Sequence, residues 1–159
     1  MNEEKAALPF ITDKKGNIQL KSARTLSLNF IIPVHRIMKF WEGIREGKLL
    51  TTKCKKCQKI YFPPKMDCPD CMISDMEWIE LSGDAELESF NQIFVKPASF
   101  SNYPDYICAL GKLKEGPRVL AWLTGITKED ARVGMKLKLR PKVVPEEERL
   151  TYEFIPGEW

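Results

Sequence analysis

The sequence predicts a mainly β protein built from an N-terminal helical segment, a small cysteine ribbon and a C-terminal five-stranded barrel. Three observations support this fold class. An amphipathic stretch precedes two closely spaced cysteine pairs, and five short apolar segments separated by glycine and proline follow them. At 159 residues, of which 43% are hydrophobic, the chain is long enough for one main domain with small attachments.

Residues 1–33 are predicted to form an N-terminal extension that is partly disordered. Residues 10–20 contain a turn-forming stretch between two short apolar segments, which is a weak hairpin pattern. Residues 26–32 alternate and then become continuously apolar before Pro33, so we expect an extended segment there.

Residues 34–50 are predicted to form an amphipathic helical segment. Four apolar residues recur at the spacing of one helical face: Ile37, Phe40, Trp41 and Ile44. Gly47 is expected to end the helix, and residues 49–52 to lead as a strand into the first cysteine pair. The aromatic face is either part of the core or a groove for a ligand or partner, and core packing is the commoner use.

Residues 51–81 contain four cysteines in two CxxC pairs separated by ten residues: Cys54, Cys57, Cys68 and Cys71. Two such pairs supply the thiolates of a tetrahedral Zn²⁺ site, because each pair wraps one side of the metal through a tight turn. Two disulfides or four unrelated core cysteines are the alternatives, but the paired spacing is specific and a redox centre needs only one such motif. The sequence therefore predicts a zinc ribbon with a structural Zn²⁺ ion.

Strand patterns flank these cysteines. Residues 60–62 form a short apolar run that Pro63 and Pro64 stop, which suits the hairpin of a ribbon. Residues 76–81 alternate and are expected to add a third strand.

Residues 82–159 are predicted to form a small closed or half-open barrel. Five segments have strand patterns: residues 85–95, 106–112, 119–123, 135–140 and 150–155. The first of them changes face near Phe90, as a long strand with a bulge does. Five strands of this length favour an OB-type barrel over a flat sandwich.

Charge and hydropathy limit the possible partners. The chain has 25 basic and 22 acidic residues, and a net charge of +3 is too small to indicate a nucleic-acid or membrane partner unless it is concentrated locally. Apolar runs stay well below the ~20 residues that span a bilayer. Glu3 and Glu4 stand where a signal peptide is basic, so we expect a cytoplasmic protein.

The sequence offers no catalytic constellation. The single histidine, His35, begins the amphipathic stretch and is expected at the helix start or on the surface, and Cys108 in its apolar run is expected in the core. A Gly-rich phosphate loop, a GxSxG motif and recognisable paired carboxylates are absent from the sequence. Four thiolates would also fill the coordination sphere of zinc and leave no position for an activated water. We therefore expect a protein that is not an enzyme.

Single-stranded nucleic-acid binding is one hypothesis, since ribbons and OB barrels bind through cationic grooves and exposed aromatics. Lysines concentrate around the ribbon, and four barrel aromatics are candidate stacking faces: Phe90, Phe94, Tyr106 and Trp122. The plainer interpretation is that the lysines keep the ribbon soluble and that the aromatics are core residues.

The order of helix, ribbon and barrel resembles a known family, the rubredoxin-like zinc-ribbon and OB-fold proteins catalogued as domain of unknown function 35 (DUF35). Besides the two CxxC pairs, the matching elements span residues 35–140: Trp41 to Gly43, Tyr61 to Pro64, Trp78, Ser82 and Gly83, Ser89 and Phe90, Pro104, Tyr106, and Gly134 and Met135. The resemblance implies that the four cysteines are zinc ligands and that no catalytic residue is present. One departure is visible, since Gln58 and Met72 follow the CxxC pairs where family members often have glycine.

The resemblance also implies acyl-CoA binding and a scaffold role beside thiolases and hydroxymethylglutaryl-CoA (HMG-CoA) synthase. Lysines suit the phosphates of CoA, and an apolar helix face suits its pantetheine arm. The candidate CoA-binding residues are Phe40, Trp41, Ile44, Lys53, Lys55, Lys56 and Lys65. The residues alone leave CoA and nucleic acid about equal, and the resemblance favours acyl-CoA with a thiolase-like partner.

Overall fold

A computed structural model describes residues 10–20 and 31–159 of the chain. The chain divides into two compact units, residues 1–33 and residues 34–159. The predictions of partial disorder and of an extended segment at residues 26–32 fall mostly on residues outside the described part of the first unit.

Residues 10–20 of the first unit form a hairpin. Strands β1 (Phe10–Thr12) and β2 (Ile18–Leu20) pair antiparallel, as predicted. Their turn is closed by the Asp13 carboxylate, which accepts hydrogen bonds from the backbone N–H groups of Lys15 and Asn17.

The second unit begins with a helix that is shorter than the predicted segment 34–50. One 3₁₀ turn (His35–Ile37) leads into α1 (Met38–Arg45), and three residues of α1 are buried: Phe40, Gly43 and Ile44. Gly47 has a φ of 81° and ends the helix as expected, because a left-handed residue diverts the chain toward the first ribbon strand. No helix within the described residues is long and apolar enough to cross a membrane.

Three antiparallel strands form the ribbon in the order β4-β3-β5: β3 (Leu50–Cys54), β4 (Ile60–Tyr61) and β5 (Met76–Glu80). Thr51 and Thr52 on the central strand are fully buried. Thr52 Oγ1 donates to the Lys65 carbonyl at 2.7 Å and accepts from the Lys65 N–H at 2.9 Å, which satisfies its hydroxyl in the interior. The predicted third strand is confirmed.

Five strands close into a barrel in the order β10-β8-β7-β6-β9: β6 (Asp84–Ile93), β7 (Tyr106–Leu113), β8 (Arg118–Leu123), β9 (Lys136–Val144) and β10 (Arg149–Pro156). Strand β10 closes the barrel by pairing antiparallel with β9 and parallel with β8. The bulge in β6 lies between Leu87 and Ser89, just before the predicted position. The predicted OB-type barrel is confirmed.

Strand β9 extends past Pro141, where the sequence predicted its end at residue 140. Leu139 donates its N–H to the Gly83 carbonyl, on the side of β9 away from β10. The backbone nitrogen of Pro141, two residues further along the strand, points to that same side. Pairing with β6 covers only residues 136–138, so the missing N–H of Pro141 leaves no ladder bond unmade.

The barrel core is made by inward-facing residues, of which five large ones are fully buried: Leu87, Leu113, Leu137, Leu139 and Phe154. On β7, Ile107 and Ala109 point inward and are buried. Cys108 between them therefore points outward and is only half-buried. The expectation that Cys108 is a core residue was wrong, because strand alternation decides which residues of an apolar run face the interior.

Aromatic rings join the helix, the ribbon and the barrel. Phe40 of α1 makes edge contacts with Phe62 of the ribbon at 5.8 Å and with Tyr152 of β10 at 6.5 Å between ring centroids. Phe62 and Tyr152 meet in the same way at 5.0 Å. Such edge-to-face contacts add to the burial of apolar area, so this aromatic cluster helps to hold the three elements together.

Candidate metal centre and binding surfaces

The four ribbon cysteines converge on one point. Their sulfur atoms all lie within 4.8 Å of one another, and Cys57 Sγ is 3.7 Å from Cys68 Sγ. A tetrahedral ion with Zn–S bonds of ~2.3 Å separates its sulfurs by roughly 3.8 Å, whereas a disulfide requires ~2.05 Å. All five cysteines of the chain are free thiols in this arrangement. The geometry fits four-thiolate Zn²⁺ binding, as predicted.

Each cysteine pair sits in the same kind of turn. In the first, the N–H of Gln58 donates to the Cys54 carbonyl at 2.8 Å; in the second, the N–H of Met72 donates to the Cys68 carbonyl at 2.8 Å. Gln58 and Met72 have φ values of 61° and 53°. The residues found in place of glycine thus keep the left-handed backbone, at a cost of ~1 kcal/mol each.

Electrostatics at the sulfurs favour a bound cation. The Tyr61 hydroxyl lies 3.2 Å from Cys68 Sγ, and this hydrogen bond lowers the pKa of Cys68 to about 6. The opposite holds for Cys71, whose pKa is raised to about 12, first by its contact with Cys57 and then by burial. Four thiolates this close repel one another, and a divalent cation removes that repulsion. The donor set therefore suits Zn²⁺ with all four positions filled by protein.

The predicted CoA-binding residues on the helix are largely inaccessible. Phe40 is 2% exposed and Ile44 is 1% exposed, because both pack into the interior. Trp41 is half-buried, and its Nε1 is buried without a hydrogen-bond partner among the residues the structure describes. Of these three helix residues, only Trp41 has side-chain surface that a ligand can contact.

The predicted CoA-binding lysines lie on the ribbon. Two of them form ion pairs: Lys53 with Glu77 at 3.6 Å, and Lys55 with Asp75 at 2.7 Å. Lys65 Nζ lies over the Tyr61 ring at 5.2 Å from its centroid. Lys56 and Lys65 are in no ion pair with any described residue. The structure does not collect the seven predicted residues around one cavity, and their CoA role stays a prediction.

Neighbouring cavities on the outside of the barrel were not predicted from the sequence. Two clefts of about 240 and 540 Å³ share Tyr103, Trp122 and Lys142 in their walls. Trp122 stacks on Tyr106 with ring centroids 4.3 Å apart, and Tyr103 meets the Trp122 edge at 5.1 Å. The apolar run at residues 106–110 was the available signal, since strands covered on both faces are continuously apolar.

The other two aromatics proposed as stacking faces lie elsewhere. Phe90 packs partly buried against the barrel core. Phe94 is exposed, and Lys128 Nζ lies 5.6 Å from its ring centroid. The four candidate aromatics therefore do not form one platform.

A buried carboxylate borders the smaller cleft. Glu153 accepts hydrogen bonds from Arg140 at 2.6 Å and from Lys142 at 2.6 Å. Burial raises the pKa of Glu153, but the hydrogen bonds from Lys142 and Arg140 outweigh it and leave that pKa below its ordinary value. The ion pair fixes both cations against the outside of the barrel.

Two family models match consecutive parts of the chain. Residues 41–77 match "ChsH2, rubredoxin-like zinc ribbon domain", and residues 78–141 match "ChsH2, C-terminal OB-fold domain". A solved structure described as the Ltp2-ChsH2(DUF35) aldolase is similar at 25% identity with a TM-score of 0.64, over 75% of this chain and 92% of that chain.

Curated relatives agree with these matches. A DUF35 domain-containing scaffold protein of Pyrococcus furiosus is 30% identical over 112 residues, covering 70% of this chain and 82% of the relative. The protein of the same name in Methanocaldococcus jannaschii is 27% identical over 115 residues, covering 71% and 82%. The benzoylsuccinyl-CoA thiolase subunit BbsA of Thauera aromatica is 33% identical over 73 residues, covering 46% of this chain and 49% of the relative. With its closed four-cysteine ribbon followed by a five-stranded OB barrel, the chain belongs to the DUF35 family.

Proposed function

We propose that this protein is a non-catalytic accessory subunit that binds acyl-CoA and docks on a thiolase-like condensing enzyme or HMG-CoA synthase in the cytoplasm. The observation that carries the proposal is that relatives of this chain are named as scaffold proteins and, over a shorter match, as a thiolase subunit. The name of that subunit and its enzyme includes a CoA thioester, which supports acyl-CoA as the ligand class.

The metal centre supports a structural role. Cys54 and Cys68 are buried, and together with Tyr61 they form a small core of the ribbon. Four thiolates leave a zinc ion no open position for water or substrate, so the metal has no Lewis-acid task in this site. The zinc then serves to hold the ribbon that carries Phe62 into the aromatic contact with helix and barrel.

The acyl-CoA part of the proposal rests on the lysines of the ribbon. Lys56 and Lys65 are the lysines there without a carboxylate partner among the described residues, so they are the cations available to phosphates. Trp41 is half-buried, so the exposed part of its ring is the apolar surface that α1 offers to the pantetheine arm.

Nucleic-acid binding is the weaker candidate. Lysines at the ribbon and on β9 that would attract phosphates are largely matched by acids: Lys55 with Asp75, Lys59 with Asp70, and Lys138 with Asp84. Internal pairing lowers the positive potential on which sequence-independent binding depends.

The partner is expected to copurify with the full-length chain. When the tagged protein is isolated from its own cells at native salt, a thiolase-like enzyme or HMG-CoA synthase should be recovered in near-stoichiometric amount and identified by mass spectrometry. Recovery of ribosomal or DNA-associated proteins alone, with no condensing enzyme, would contradict the scaffold role.

Acetyl-CoA is expected to bind the purified chain in a calorimetric titration. Replacing Lys56 and Lys65 together by glutamate should weaken binding by at least about tenfold, because each charge-assisted hydrogen bond to phosphate is worth ~1.5–3 kcal/mol. The double variant Lys112→Glu with Lys114→Glu changes net charge equally on the exposed barrel surface and should leave affinity unchanged. Binding of a single-stranded oligonucleotide with steep salt dependence, and none of acetyl-CoA, would reverse the choice of ligand.

A further inference from the structure

The outward-facing side of β7 and β8 carries an apolar surface, which we call the outer barrel face: Tyr106, Cys108, Leu110, Leu120 and Trp122. The strands place these residues side by side, with Cys108 opposite Trp122 and Leu110 opposite Leu120. Leu120 is 68% exposed. The inward residues of the same strands are also apolar, so both sides are apolar over residues 106–110 of β7 and 119–123 of β8, beyond which Lys112 and Arg118 face outward.

Strand β9 of the same barrel carries mostly charged residues on its outward side, so the apolar outward side of β7 and β8 is unusual. Four of the five outward positions on β9 are charged, namely Lys136, Lys138, Arg140 and Lys142, and the fifth is Val144 at the end of the strand. Antiparallel sheets keep polar residues on the side that faces water, and strands apolar on both sides are normally covered on both. The outer barrel face therefore has the composition of a surface that is buried in an assembly.

One end of this face is already covered by the chain itself. The loop between β6 and β7 places Phe100 at 6.2 Å from the Trp122 ring and Tyr103 at 5.1 Å from it. Lys96 holds the loop by donating to the Tyr103 carbonyl at 2.9 Å and to Asp105 at 2.8 Å. The end that contains Leu120 stays open, beside the 240 Å³ cleft that Leu120 also lines.

Most of the charges around the outer barrel face are paired within the chain, although Lys112 on β7 and Lys128 at the larger cleft form no ion pair with a described residue. Five ion pairs border it: Lys96 with Asp105, Arg118 with Glu88, Arg149 with Glu147, Arg140 with Glu153, and Lys142 with Glu153. Because most of these charges are compensated, the surface gives phosphates little to bind, which disfavours nucleic acid and the nucleotide end of CoA. An apolar, aromatic centre within a polar rim is the organisation of protein interfaces.

We propose that the outer barrel face is the surface on which the condensing enzyme docks, through an apolar segment of low net charge that covers Leu120 and Leu110. This inference rests on the proposed function, because that function supplies the enzyme partner. The Leu120 end is the centre of the contact, since it is the most exposed part of the apolar surface.

The test compares two single substitutions in the full-length chain. Leu120→Glu should lower affinity for the copurified condensing enzyme by about thirtyfold or more, because it buries an unpaired charge in the contact. Val133→Glu is the matched control, since Val133 is 65% exposed and lies in the loop before β9, a strand that pairs with β6 and β10 and not with β7 or β8. Zinc content and thermal unfolding of both variants should match the wild type, because both positions are exposed. A photoreactive residue at position 120, and not at position 133, should crosslink to the enzyme.

Three results would overturn the proposal. If Leu120→Glu retains the condensing enzyme as well as Val133→Glu does, the docking surface is wrong while the scaffold function stands. If the wild type recovers no condensing enzyme, both are wrong. If the wild type binds a single-stranded oligonucleotide and Leu120→Glu abolishes that binding, the surface serves nucleic acid instead.

Discussion

Replacing Cys57 by serine is expected to remove the bound Zn²⁺ and unfold the ribbon. Cys57 is the exposed member of the four, so the substitution costs little packing and its effect reports on the metal. Structural zinc contributes ~10 kcal/mol or more to small domains, and a site with three thiolates loses most of that affinity. Metal analysis should find about one zinc per wild-type chain and close to none in the variant.

The loss should extend beyond the metal site. Tyr61 packs with the buried Cys54 and Cys68, and its neighbour Phe62 contacts Phe40 of α1. When the ribbon loosens, the helix loses that contact, so a large fall in thermal stability is expected by circular dichroism. Cys108→Ser is the control, because Cys108 lies on the outside of β7 and should keep both zinc and stability. Full zinc and wild-type stability in Cys57→Ser would contradict a four-thiolate site.

The metal centre could be predicted from the sequence because its geometry is local. Each CxxC turn is closed by hydrogen bonds between residues four or five positions apart, as in Gln58 to Cys54 and Met72 to Cys68. The barrel strands could be predicted equally well, because alternation and the glycine and proline residues between strands are also local signals.

Features that depend on contacts between residues distant in the chain could not be predicted from the sequence. The periodicity of α1 cannot tell a core face from a groove, and only packing against Phe62 and Tyr152 shows that Phe40 is interior. The outer barrel face depends on strand register, which sets Leu110 beside Leu120. An apolar run does not show which of its residues face the interior of the barrel, which is why Cys108 was assigned to the core.

Gly83→Ala is expected to destabilise the protein by about 3 kcal/mol or more. Gly83 connects the ribbon to β6, has a φ of 83° and is buried. A left-handed alanine costs ~1–2 kcal/mol, and its Cβ would also collide with the backbone carbonyl oxygen of Leu139 on β9. That collision strains the 2.7 Å hydrogen bond from the Leu139 N–H to the Gly83 carbonyl, worth ~1 kcal/mol. Equilibrium urea unfolding measures the change.

Gly134→Ala separates the cost of a left-handed alanine from the cost of the collision with Leu139. Gly134 has nearly the same φ, 86°, but a Cβ there would have no atom within 4 Å, so only the backbone cost of ~1–2 kcal/mol applies. The excess loss at Gly83 then measures how tightly the end of the ribbon is held against β9. Equal losses in the two variants would mean that this approach is easily relaxed, and that the side chains packed between ribbon and barrel, such as Leu49, Leu81 and Phe62, fix the ribbon on the barrel.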